Sequence, residues 1–160
     1  MSKYVIRKGK HSHSNLWARL NFLFFGKTLK YNVRFDRNCW YVKLNTDSED
    51  LNKLFGFGGA DHHKNSIRLC WKPDFKDKGT IKIYVYWYDD QSRASIWFVD
   101  MRVDEWVEFQ IRKTSKGFVV HCPFRTVELG HTKPNPTWKK LYPYFGGDNT
   151  APHTMTIELK

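Results

Sequence analysis

Residues 79–90, GTIKIYVYWYDD, alternate apolar and polar side chains without a break. Ile81, Ile83, Val85 and Trp87 fall on one side, and Lys82, Tyr84, Tyr86 and Tyr88 on the other. Successive side chains of an extended chain point to opposite faces, so a period of two marks a strand with one buried face. The pattern recurs. SIRLCWK sets Ile67, Leu69 and Trp71 against Ser66, Arg68, Cys70 and Lys72. EWVEFQIRK sets Val107, Phe109 and Ile111 against Trp106, Glu108, Gln110 and Arg112. GFVVHCPF sets Val119 and His121 against Phe118, Val120 and Cys122. Further strands are predicted at KYVIRK, RLNFLFF, TLKYNVRF, CWYVKL, ASIWFVDMRV and TMTIEL. Turn residues such as DDQS, TSKG and FGGDN separate them. No segment sustains a 3.6-residue period. Only DSEDLNKLF fits a turn or two of helix, with Asp47 or Ser48 as its N-cap. Many short strands with very little helix predict an all-β antiparallel sandwich, a jelly roll. The face assignments assume one register per strand, since a slip of one residue inverts them.

The 160 residues suit one domain, expected over residues 1–160. No internal repeat or low-complexity linker divides them, and GHTKPNPTWKK reads as a long polar loop. Seven Trp, eight Tyr and twelve Phe exceed what one small core needs, so some of these rings are expected to face a ligand. The formal charge is +11, and residues 1–43 carry ten basic residues against the single acid Asp36. Such a field favours anionic partners: nucleotides, nucleic acid, acidic glycans or membrane headgroups. The widely spaced Cys39, Cys70 and Cys122 form no CxxC and read as core thiols of a reducing compartment. No apolar run approaches a membrane span, and MSKYVIRKGKHSHS lacks the apolar region of a signal peptide, so a cytoplasmic protein without membrane contact is expected. A homo-oligomer is compatible with the sequence.

The ending LYPYFGGDNTAPHTMTIEL resembles the last turn and strand of concanavalin A-like jelly rolls, the lectin, glucanase and polysaccharide-lyase type sandwiches. LNKLFGFGG with HHKNSIRLCW is similar to a segment of small bacterial and phage proteins that carry the same ending. The resemblance covers about a third of the chain, and its Gly/Tyr/Pro turns report fold more than chemistry. It implies a curved two-sheet sandwich whose concave face binds a ligand.

Several chemistries lack their residues. His11 and His13 form H-x-H and His62 and His63 are adjacent, but no thiolate or carboxylate partners at metal-site spacing accompany them, so no metal is expected. Retaining glycoside hydrolysis needs two carboxylates on one face, whereas the adjacent Asp104 and Glu105 of VDEWVE point to opposite faces. GFGG followed by DHHKNS matches no phosphate-loop pattern, yet its backbone amides with His62, His63, Lys64, Asn65 and Arg68 could meet an anion. Basic and aromatic residues interleave over residues 16–35 as nucleic-acid binders require, and as a strand filling a core also does. A polysaccharide lyase asks for a Tyr or His acid and base and a group that neutralises a uronate carboxylate. Arg68, Tyr84, Tyr86, Gln110, Arg112 and His121 supply those types, as they would a site that binds an anion without chemistry.

The candidate set is therefore rich in donors and rings: His62, His63, Asn65, Arg68, Tyr84, Tyr86, Tyr88, Gln110, Arg112 and His121. It predicts a non-catalytic protein, without cofactor, that captures a small anion by charge-assisted hydrogen bonds and stacking, a phosphorylated nucleotide-type signal fitting both needs. A phage-encoded sequestering protein is one form this would take. The alternatives are a carbohydrate-active jelly roll, either a binding module or a polysaccharide lyase, and a structural virion module.

Overall fold

A computed structural model describes residues 1–15, 23–24, 26–42, 50–131 and 138–160. Two six-stranded antiparallel sheets face each other. Sheet 1 runs in the order β1 (Ser2–Ile6), β12 (Met155–Leu159), β3 (Thr28–Phe35), β8 (Val107–Lys113), β9 (Gly117–Cys122) and β10 (Arg125–Gly130). Sheet 2 runs β2 (Leu23–Phe24), β11 (Trp138–Leu141), β4 (Asn52–Gly58), β5 (Ser66–Pro73), β6 (Thr80–Asp89) and β7 (Ser92–Arg102). Among the described residues the only helix is a 3-10 turn over Arg37–Cys39. The all-β antiparallel sandwich expected from the alternation is the observed architecture.

The alternation decides what lies between the sheets. Ile67, Leu69, Trp71, Ile81, Ile83 and Val85 from sheet 2 are fully buried against Phe35, Phe109, Ile111, Val120 and Ile157 from sheet 1. Trp71 sits among rings, with Phe35 at 5.0 Å, Tyr41 at 6.3 Å and Phe145 at 6.4 Å between centroids. Most phenylalanines therefore serve this core. Cys39, Cys70 and Cys122 are buried free thiols. No helix among the described residues is long and apolar enough to cross a membrane.

Four expectations change. Trp138, Lys139 and Lys140, at the end of the loop read at GHTKPNPTWKK, pair as part of β11. CWYVKL does not form a strand over its described part. Cys39 closes the 3-10 turn through its amide to the Asp36 carbonyl (2.8 Å), and the Trp40 indole donates to the Asp74 carbonyl (3.1 Å). This backbone turn and this side-chain anchor replace a ladder. The helical turn at DSEDLNKLF is also absent from its described end, because residues 52–58 pair with β5 as β4, while Asp47 and Ser48 lie outside the described residues. Last, Gly56 and Gly58 of the GFGG segment, whose amides were expected to meet an anion, belong to a strand. The register of β4 on β5 shifts between Lys53 and Gly56, which lets both Leu54 and Phe55 be buried. The strands then approach so closely that a Cβ at Gly56 would stand 2.1 Å from the Ile67 carbonyl oxygen and 2.5 Å from the Arg68 Cα. Gly56→Ala must push two backbones apart, and overpacking of this kind is expected to destabilise by about 2 kcal/mol or more, read as a lower midpoint in chemical denaturation.

Candidate functional site

The outer face of sheet 2 carries the groove. Its floor comes from β5 and β6, where the pairing sets Arg68 beside Tyr86 and Ser66 beside Tyr88. One wall is the β6–β7 hairpin, whose two-residue turn holds Asp90 at φ 47° and Gln91 at φ 73°. That turn fixes the register that puts Arg93 opposite Tyr88 and Ser95 opposite Tyr86. The other wall is the 146–148 turn, stitched to the start of β4. The Gly146 amide donates to Asn52 Oδ1 (2.7 Å), Lys53 Nζ donates to the Gly146 carbonyl (3.0 Å), and the Gly147 amide donates to the Asp50 carboxylate. Two cavities of about 260 and 360 Å3 meet here and share Asp50, Lys53, Tyr86 and Arg93. The first is also lined by His63, Arg68, Tyr88, Gly147 and Asp148, and the second by Leu51, Ala94 and Ser95.

Arg68 is the centre of this arrangement. It is 9% exposed, its Nε has no hydrogen-bond partner, and no carboxylate among the described residues pairs with it. Burial lowers its pKa from the ordinary 12.5, the nearby side chains being Cys70, Tyr86 and Tyr88. A guanidinium nevertheless keeps its proton in proteins, so a desolvated positive charge faces the groove. Burial also pushes the Tyr86 hydroxyl far above its usual range, helped by its hydrogen bond to Tyr88. Tyr86 is therefore a protonated donor at neutral pH. The Tyr86 and Tyr88 rings meet edge-on at 5.6 Å, and His63 meets Tyr88 edge-on at 5.9 Å. Arg93 has its pKa raised by these two phenols. Asp50 is tied to Lys53 at 3.5 Å, and Asp148 also lines the groove, so three cations, Lys53, Arg68 and Arg93, face two carboxylates there.

Four of the ten sequence-predicted residues, His63, Arg68, Tyr86 and Tyr88, line this groove together. His62 adjoins it through His63, with ring centroids 4.2 Å apart. Asn65 acts beside it instead, its Oδ1 accepting the Asp90 amide at 3.4 Å and bracing the hairpin. Tyr84 lies one outward position further along β6. Gln110, Arg112 and His121 are elsewhere. They stand on the outer face of sheet 1, where Gln110 pairs with His121 across β8 and β9 and His121 Nδ1 bonds Thr126 Oγ1 at 2.8 Å. The two outer faces point away from each other, so no single ligand spans both sets. The glycine-loop amides expected to meet an anion are engaged as well. Those of Gly59, His63, Lys64 and Asn65 donate within the loop, to Asn65 and Asp61 oxygens.

The basic N-terminal third is partly neutralised. Arg34 bridges Glu158 (2.8 Å) and Asp104 (3.0 Å), Arg37 joins Asp104 (2.5 Å), and Lys30 joins Glu108 (2.9 Å). His11 stacks on Tyr144 at 5.3 Å, and His13 meets Tyr4 edge-on at 5.0 Å. Sequence reasoning missed Lys53, Asp50, Arg93, Ser95 and Asp148. Arg93 was accessible from the DDQS turn, since a two-residue hairpin places it opposite Tyr88. Lys53 was hidden by the helical reading of its segment, and the 146–148 wall depends on a long-range contact with no local signal.

Solved structures of similar fold include polysaccharide lyases. The family 18 enzyme aly-SJ02 and an alginate lyase from Alteromonas sp. 272 each superpose with a TM-score of 0.54 at 10% identity, covering 99% of this chain and 86% of theirs. Alginate lyase A1-II', of polysaccharide lyase family 7, superposes with a TM-score of 0.51 at 12% identity over 88% of this chain and 62% of its own. The fold is the concanavalin A-like jelly roll. No family model matches the chain, and no curated protein matches it in sequence. These likenesses overturn the expectation of a nucleotide-sequestering protein that captures a small anion. The architecture is shared with enzymes of acidic polysaccharide, and the donors meant to converge on a small anion are divided between opposite faces.

Two outcomes follow from Arg68 and the histidine near it. Arg68→Met keeps the volume and removes an unpaired buried charge, so stability is expected to rise by roughly 1–4 kcal/mol in denaturant unfolding. A fall would mean that the charge is needed for folding. His62 has its pKa lowered from 6.5 by partial enclosure first and by Arg68 and His63 next. The folded chain thus holds this proton less tightly than the unfolded one. Its contribution to stability is full above about pH 6.5 and is lost as pH falls through the lowered value. His62→Gln is expected to flatten that part of the acid limb in a pH series of melting temperatures.

Proposed function

We propose that the chain is a carbohydrate-active jelly roll whose sheet 2 groove binds an acidic, uronate-bearing polysaccharide. The observation that carries this reading is Arg68, a buried cation without a carboxylate partner that opens onto a groove flanked by tyrosines. A carboxylate on a sugar would supply the missing counter-charge through charge-assisted hydrogen bonds. Tyr86, Tyr88, Ser95 and Lys53 would meet hydroxyl groups, and Arg93 a second carboxylate. The likeness to alginate lyases supports an acidic glycan as the ligand class.

A second reading, chain cleavage by β-elimination, is favoured by His63 and Tyr86 standing in the same groove as Arg68. Arg68 would neutralise the uronate carboxylate and so acidify the proton on C5. A base, His63, would remove that proton, the C4–O4 bond would break as the C4=C5 bond forms, and Tyr86 would protonate the departing oxygen. The high pKa of Tyr86 suits an acid rather than a base. His121, expected at sequence level to join such a set, lies on the other sheet and has no part in it.

Thermal shift with alginate and other polyuronates tests the binding. Wild type is expected to gain stability beyond that given by simple salt at equal ionic strength, and Arg68→Met to lose the gain. Equal shifts with neutral polysaccharide, or none, would overturn it. Absorbance from unsaturated ends in the same mixtures tests elimination. Product that vanishes in Tyr86→Phe while binding persists is the expected result for a lyase, and wild-type binding without product leaves a binding module.

A further inference from the structure

We infer that the groove continues past Arg68 into a second sugar subsite, built by Tyr84 and Trp97, that grips a long chain by stacking on its apolar faces. The inference rests on the glycan reading above. Its starting point is an irregularity. Residues 96–99, Ile-Trp-Phe-Val, form an apolar run whose alternation alone would not choose a face. Between Ile83 and Tyr84 the register on β7 shifts, so Ile83 pairs with Val99 but Tyr84 pairs with Trp97. Such a bulge re-aims a side chain. Phe98 turns inward and is fully buried, while Trp97 stands outward beside Tyr84 and is 49% exposed. With the partly exposed Tyr84 beside it, the indole makes a contiguous aromatic surface of the kind that marks a binding site.

The ring is held in place. Its Nε1 donates to Asp100 Oδ1 at 2.8 Å. The Arg125 guanidinium lies 5.3 Å from its centroid, anchored by bonds to the Trp97 and Phe98 carbonyls at 3.0 and 3.1 Å. A ring already fixed loses little freedom when a ligand covers it. The Lys72 ammonium lies over one face of the Tyr84 ring, 5.4 Å from its centroid, where it can meet a carboxylate on a sugar beside the ring. Outward positions on one strand recur about every 7 Å, so Tyr88, Tyr86 and Tyr84 form successive steps of a straight track. Arg68 serves the middle of that track, opposite Tyr86. Trp97 widens its far end onto the neighbouring strand. The track takes a polymer lying along β6. A disaccharide seated at Arg68 would not reach Trp97.

The test is calorimetric titration of wild type, Trp97→Ala, Trp97→Phe and Tyr84→Ala with oligouronates of increasing length, with melting curves to show that each variant is folded. Wild-type affinity is expected to rise with length. Trp97→Ala and Tyr84→Ala are expected to weaken the longest ligands about five- to tenfold and leave the disaccharide unchanged. Trp97→Phe, which keeps a ring but loses the bond to Asp100, is expected to recover most of the affinity. Length-dependent binding that none of these changes disturbs, or equal losses at every length, overturns the subsite alone. A wild type that binds no oligouronate overturns the glycan reading and the subsite together.

Discussion

The structure is organised around a charge that the sheet has to bury. A strand in the middle of an antiparallel sandwich normally hides one face and wets the other. β5 hides both, since Ser66, Arg68 and Cys70 on its outer side are as buried as Ile67, Leu69 and Trp71 on its inner side. The Cys70 thiol is driven up to about 12 by that enclosure. The cover comes from Lys53 across the ladder and from the turn at Gly147 that Asp50 holds over it. Where the cover stops, the cavity begins, and Arg68 lies at its floor. Gly56 belongs to the same device. Lacking a Cβ, it lets β4 close onto the backbone at Arg68, and any side chain there would occupy the space of the arginine stem.

How much of this was legible follows from what alternation can encode. It separates inside from outside on each strand, and so the core residues of β5, β6, β8 and β9 were readable before any coordinates. It does not say to which sheet a strand belongs. β7 and β8 are consecutive but lie in different sheets, and the chain crosses between them at residues 103–106, where Asp104 takes a φ of 64°. Its carboxylate is bonded by Arg34 and Arg37, which pin the corner onto sheet 1. The tyrosines of β6 and the polar row of Gln110, Arg112 and His121 look identical in sequence, each the polar half of an alternating strand. One crossing puts them on opposite sides of the molecule. The outward turn of Trp97 was illegible for a related reason, since a bulge breaks the parity that alternation relies on.

Net charge misled in a similar way. The ten basic residues of the first 43 suggested an anionic partner spread over that region. Several of them instead fasten sheet 1, where Arg34, Arg37 and Lys30 meet carboxylates of Asp104, Glu158 and Glu108. Exposed pairs of this kind contribute little to stability individually, but they remove those charges from the field available to a ligand. The cations that matter for the groove come from residues 44–99, where basic and acidic residues balance. A charge is informative when it is desolvated and unpaired. That property depends on packing, and composition cannot report it.

The geometry of the donors also argues for the kind of ligand. A small anion is captured by groups that converge on it from several directions, as a loop cluster or a helix terminus provides. Here the loop amides that would have converged are engaged with Asp61 and Asn65. The remaining donors, His63 apart, stand on strands, parallel to one another, at the fixed step of the pleat. Parallel groups on a rigid floor cannot close around a compact ligand, because that would require the sheet itself to bend. They match a ligand that presents similar groups at intervals along its length. The ordering cost is then met at folding, by the hairpin register and the bulge, and each further repeat of the ligand gains contacts without further rearrangement of the protein. The extended polyanion proposed as the ligand, with its flat apolar faces, has the chemistry that such a surface would select.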